Sequence, residues 1–138
     1  MWNKAASLRA YAHWMNEIAR ASFLRDQGHP EMFFFITDRG ELTGCQFREG
    51  LDSVVKNATI QQESARIQPY GTIHTKVVTV YKLPGEPMVG SEPGAEERPC
   101  LLVRMESRKG GSLAFASPIL QTDGRLALEQ TVVLQAPI

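Results

Sequence analysis

The chain has no long hydrophobic run. Its densest apolar cluster, Met32-Phe33-Phe34-Phe35-Ile36, is five residues long, far short of the roughly 18 apolar residues of a membrane-spanning helix, so no such helix is expected. It has no charge of one sign either: 15 basic side chains meet 15 acidic ones. Without a global positive field, attraction to DNA, RNA or an anionic membrane would need a local patch, and nucleic acid is not expected as a partner. Cysteine is scarce. Cys45 and Cys100 lie far apart in apolar, strand-like contexts with no CxxC, which argues against a disulfide framework and reads as two buried thiols in a reducing compartment. The start, Met1-Trp2-Asn3-Lys4 followed by mixed charged and apolar residues, lacks the apolar core of a secretory signal. A cytoplasmic protein is the expectation.

The chain has 138 residues, the usual size of one domain and enough to bury a core unaided. Leu8, Tyr11, Met15, Ile18 and Ala19 recur at spacings of three and four, which predicts a helix over 3–27, stopped by Gly28 and Pro30. Glu31 to Thr37 reads as a short buried strand, and Asp38-Arg39-Gly40 turns it into a second, Glu41 to Phe47, in which Gly44 predicts a bulge. Leu51, Val54, Val55, Ala58 and Ala65 place a second helix over about 50–66, with Asp52 or Ser53 as its cap and Pro69 beyond its end. Thr72 to Leu83 is a long β-branched strand. Residues 84–98 carry three prolines, three glycines and four glutamates against one arginine, which predicts a long solvated loop.

Three more strands follow: Pro99 to Ser107, Ser112 to Gln121 and Arg125 to Gln135, separated by Gly110-Gly111 and Asp123-Gly124, dipeptides that supply the positive φ of tight hairpins. The predicted fold is therefore a single α+β domain over 1–138, order α-β-β-α-β-β-β-β, with a mostly antiparallel sheet and two helices packed on one face. Its expected core includes Met32, Phe34, Ile36, Val77, Val103, Phe115 and Leu128.

Gly71 to Leu83, Pro84-Gly85-Glu86-Pro87, Glu97-Arg98-Pro99-Cys100, Ser117-Pro118-Ile119 and Asp123-Gly124 together resemble a family of small uncharacterised bacterial and phage proteins. The shared pattern is a valine-rich strand, a proline-rich acidic loop, an arginine entering the next strand and a late Pro-Ile before a glycine turn. The family usually has an acidic residue and a tryptophan where this chain reads His74-Thr75-Lys76-Val77. The resemblance implies a compartment and a fold more than a function.

Four residues are the candidates for chemistry. His13 and Glu17 stand four apart on helix one, but two ligands fall short of the three protein ligands a catalytic zinc needs, so neither metal nor cofactor is expected. Cys45 and His74 would form a thiolate pair if their strands were neighbours. Arg104, Arg108 and Lys109 with Phe115 would make a small basic and aromatic surface, though a solvated hairpin tip explains them as well. No Gly-x-Ser-x-Gly elbow or phosphate-binding glycine loop is present. The expected function is a non-enzymatic binding or interaction protein with a possible protein partner; the alternative is a small hydrolase-like enzyme with a His/Glu or Cys/His site. Val132-Val133-Leu134, apolar on both faces of the last strand, predicts a two-fold homodimer.

Overall fold

The computed structural model describes residues 4–80 and 98–135. Two helices and seven strands form an α+β fold in the order α1 (Lys4–Asp26), β1 (Glu31–Ile36), β2 (Leu42–Phe47), α2 (Ser53–Ile67), β3 (Gly71–Val80), β4 (Arg98–Ser107), β5 (Ser112–Thr122), β6 (Arg125–Leu128) and β7 (Val132–Gln135). The loop expected over 84–98 lies outside the described residues, apart from Arg98, which opens β4. All pairings are antiparallel, in the order β2-β1-β3-β4-β5-β6, with β7 also on β5. No helix among the described residues is long and apolar enough to cross a membrane.

Paired residues in an antiparallel sheet share a face, and this fixes where the core sits. The row Phe34, Ile73, Met105, Leu113 is paired strand to strand, and it packs with Leu8, Ala12, Met15, Ala19 and Phe23 of α1. Ile18 points outward, while Ala12 and Phe23 take the inward places. α1 ends with Gln27 in the left-handed region (φ 56) and the Gly28 amide donating to the Phe23 carbonyl, a closure usually made with glycine at the left-handed position. Gln27 stands there because its side-chain amide bonds the β6 backbone, accepting from the Leu126 amide and donating to the Leu126 carbonyl.

The second helix departs from the expectation. Glu31, Phe33 and Phe35 point away from α1, and Lys56 of α2 reaches the Glu31 carboxylate, so the two helices cover opposite faces rather than one. α2 also rotates its expected stripe outward. Val54 is 74% and Val55 48% exposed, Ala58 and Ala65 are exposed, and Lys56, Thr59, Ile60, Glu63, Ser64 and Ile67 are turned inward and half-buried. The surface beneath is mixed: Phe33, Phe35 and Phe47 share that side of the sheet with Glu31, Thr43, Cys45, Thr72 and His74, and the helix face turned to it is mixed in kind, Ile60 and Ile67 beside Lys56, whose ammonium answers the Glu31 carboxylate. Asp52 caps the helix by accepting from the Val54 amide.

Three further expectations are corrected. Gly44 makes no bulge, since β1 and β2 pair without interruption through Phe34↔Gly44; a Cβ there would stand 2.5 Å from the Phe34 ring, so the glycine makes room for an aromatic side chain lying across it. The last strand is two strands. Ile119 pairs Leu128, but Ala116 pairs Val132, which leaves one extra residue on the later strand between them, a bulge opposite Pro118. Proline has no N–H to give to a ladder, and only its carbonyl is used, by the Glu129 amide. Of the expected core, Phe34, Ile36, Val103, Phe115 and Leu128 lie in or against the main cluster, whereas Val77 is 42% exposed and Met32 is half-buried.

Candidate functional site

β4 accompanies β3 along all of Gly71–Val80, but β1 pairs with β3 only from Gly71 to Thr75. Pro30 precedes β1 and ends the ladder there, while β3 continues for five more residues, about 16 Å at strand rise. That step leaves a notch at one end of the sheet. The exits of α1 (Gly28 to Pro30) and of β2 (Arg48 to Gly50) form its rims, and Lys76 and Val77 form its floor, enclosing a cleft of about 660 Å³.

Glu31 and Lys56 line this cleft, and Glu31 is the centre of its polar wall. One carboxylate oxygen accepts from Lys56 Nζ at 2.7 Å and the other from His74 Nε2 at 2.7 Å. Burial alone raises the Glu31 pKa, but the two hydrogen bonds together outweigh it and hold the carboxyl below the usual carboxylate range. An ionised carboxylate only accepts, so His74 must carry its proton on Nε2, leaving Nδ1 as a bare acceptor in the neutral ring. Burial keeps the ring neutral, pushing its pKa down; the bond to Glu31 opposes this, and the Lys76 and Lys56 charges reinforce it. Phe33 packs 5.2 Å from the imidazole, centroid to centroid, fixing the plane in which it can turn.

His29 lies on the rim of the cleft. Its Nε2 is 2.9 Å from the hydroxyl of Thr75, whose side chain is fully buried, and its Nδ1 is buried with no protein partner. Burial lowers its pKa too, with the Asp26 charge acting in the other direction.

The residues singled out from sequence are scattered. Cys45 and His74 both sit opposite Phe33, one on each side of β1, so a whole strand and the Phe33 side chain separate them, roughly 10 Å at ordinary strand spacing. The Cys45 thiol is pushed up, first by burial and then by the Glu63 charge, and stays protonated. His13 packs against Phe115 at 4.9 Å, and it and Glu17 are exposed on α1, away from the cleft. No group of three or more His, Cys, Asp or Glu side chains among the described residues could hold a metal ion. The basic tip also dissolves. Arg104 pairs with Glu106, Arg108 with Asp38 and the Tyr70 ring, and Phe115 is in the core.

No protein-family model, curated protein or solved structure matches the chain. No residue role is therefore borrowed, and the site rests on its own geometry. Sequence reasoning found His74 but missed Glu31, Lys56 and His29. The available signal was Glu31 itself, a lone carboxylate opening a continuous aromatic strand, which can be buried there only with partners.

The three groups predict acid sensitivity. For both histidines the folded pKa lies below the ordinary 6.5, so the unfolded chain binds protons first as pH falls, and stability drops from about that pH downward. Glu31, lowered from 4.5, contributes stability that is present above its unfolded pKa and lost as pH falls further. Urea midpoints measured from pH 7.5 to 5 should fall, and a double His29→Gln, His74→Gln variant should flatten the slope above pH 5. A wild-type midpoint constant across that range would overturn the assignment.

Proposed function

We propose that this protein is a non-enzymatic binding protein that holds a small polar ligand in the cleft at the start of β1. The observation that carries the reading is the Lys56–Glu31–His74 array: two helix and strand elements converge on one carboxylate and pin its orientation along the wall of a cleft whose volume suits a small molecule, typically about 300–1,000 Å³. Pre-set polar groups on rigid elements are what ligand recognition requires. Hydrolysis is the weaker reading because, among the described residues, no side-chain hydroxyl or thiol is hydrogen-bonded to His74 for the His74–Glu31 pair to activate. The Thr75 hydroxyl points to the other face and is engaged by His29, and Cys45 lies beyond Phe33. Both cysteines are free, which suits the reducing, cytoplasmic setting proposed.

Self-association belongs to the same reading. β7 borders the sheet with Val133, 52% exposed, on one face and Leu134, also exposed, on the other, and an antiparallel edge is self-complementary about a two-fold axis. A fragment screen followed by ¹⁵N-resolved NMR should place hits at Gly28, Glu31, Gly50 and Lys76, and light scattering at micromolar concentration should give twice the 15.4 kDa chain mass. Fragments that cluster elsewhere would reject the cleft, and a monomer mass would reject the dimer.

A further inference from the structure

The cleft's charges are unequally used. Arg48, Lys56 and Lys76 bring three cations to it, against Glu31 and Glu49. Glu31 and Lys56 satisfy each other, and the second Glu31 oxygen is closed by His74. What remains is Arg48 and Lys76 against Glu49, and among the described residues none of these three makes an ion pair or a side-chain hydrogen bond. Lys76 is held on β3 with its side chain half-buried, where an unpaired ammonium is costlier than at an open surface. The unpartnered Nδ1 of the rim histidine, His29, adds a polar atom that the protein leaves unanswered. The Glu31 charge, which would repel an anion, is offset at 2.7 Å by Lys56.

We propose that the cleft binds a small oxyanion, a carboxylate or phosphate group carried on a small molecule, between Arg48 and Lys76, with the Lys56–Glu31–His74 array as its fixed polar wall. The proposal rests on the cleft being the ligand site and adds the charge of the ligand. Arg48 supplies the planar fork that matches two oxygens of such a group, and Lys76 supplies a point charge on the floor of the same cleft.

The test is NMR titration of the full chain at low salt and pH 7.5 with inorganic phosphate and, separately, with acetate. Saturable shifts at Gly28, Gly50 and Lys76 with either probe support the proposal, and the stronger probe identifies the oxyanion. In an Arg48→Gln, Lys76→Gln double variant the affinity should fall at least about tenfold, the loss of one charge-assisted hydrogen bond or more, whereas Arg125→Gln, remote on β6, should change nothing. Absence of saturable shifts with both anions, or equal affinity in the double variant, overturns the proposal. Neutral fragments that still bind the cleft in that case show that the binding-protein reading stands and only the charge of its ligand was wrong. Arg48 is exposed and Lys76 half-buried, and an unchanged urea midpoint verifies that the variant is folded.

Discussion

Replacing Phe115 with alanine is expected to lower the unfolding free energy by about 3–5 kcal/mol, the usual cost of emptying a phenylalanine site in a packed core. Phe115 is 2% exposed and stands in the main cluster with α1 above it. It is paired on one side with Val103 of β4 and on the other with Val133 of β7, so neither strand can close inward over the vacancy without breaking ladder hydrogen bonds. The control is Val77→Ala on β3. Val77 is already 42% exposed, and the loss of its methyl groups should cost less than about 1 kcal/mol. Urea unfolding of the two variants checks the contrast, and comparable losses at both positions would mean that the core extends to the end of β3.

Arg20→Ala should be the next most damaging change, by about 2–3 kcal/mol, because charge-assisted hydrogen bonds are lost while their buried partners remain. The Nη1 group of Arg20 shares its two protons among three acceptors, the Ser117 hydroxyl at 2.8 Å, the Glu129 carbonyl at 2.9 Å and the Thr131 hydroxyl at 3.2 Å. Asn16 adds a long bond to Thr131 at 3.4 Å and keeps its own Oδ1 unpartnered. This cluster clamps α1 onto the residues where β6 breaks into β7. Loss of the clamp should therefore show in amide exchange: faster at Val132 to Leu134 in the variant, with the β3–β4 centre protected until global unfolding. Arg20→Lys, which keeps the charge but not the fork, should recover only part of the stability. Uniform exchange changes across the sheet would instead point to lost packing of the arginine stem.

The elements that were legible in the sequence share one property: a local cause. Asp123 (φ 51) and Gly124 (φ 79) both adopt the positive φ of a two-residue hairpin turn, as an Asp-Gly pair between apolar runs implies. Asp52 caps α2 through a bond two residues away. Pro69 stops that helix one residue past Gln68, itself left-handed at φ 48. The stretches that were misread depend on distant residues. The outward rotation of α2 follows from Glu31, 25 positions before its partner Lys56. The split of the last strand follows from Pro118 opposite it and from Arg20, over a hundred positions upstream. Cys45 and His74 were separated by a topological fact, the insertion of β1 between β2 and β3, which neither residue's neighbours record.

The sequence by itself determined the tight turns, the helical and extended segments as far as Leu128, and that Phe34, Ile36, Val103 and Phe115 are inside, because turn chemistry, capping and hydrophobic periodicity act within a few residues. Only the tertiary structure decided which face each helix covers, how β5 carries two partners and which polar groups meet at the cleft. Those outcomes depend on burying charge with its partner across long separations. A carboxylate such as Glu31 is tolerable inside only after Lys56 and His74, from α2 and β3, have been folded against it.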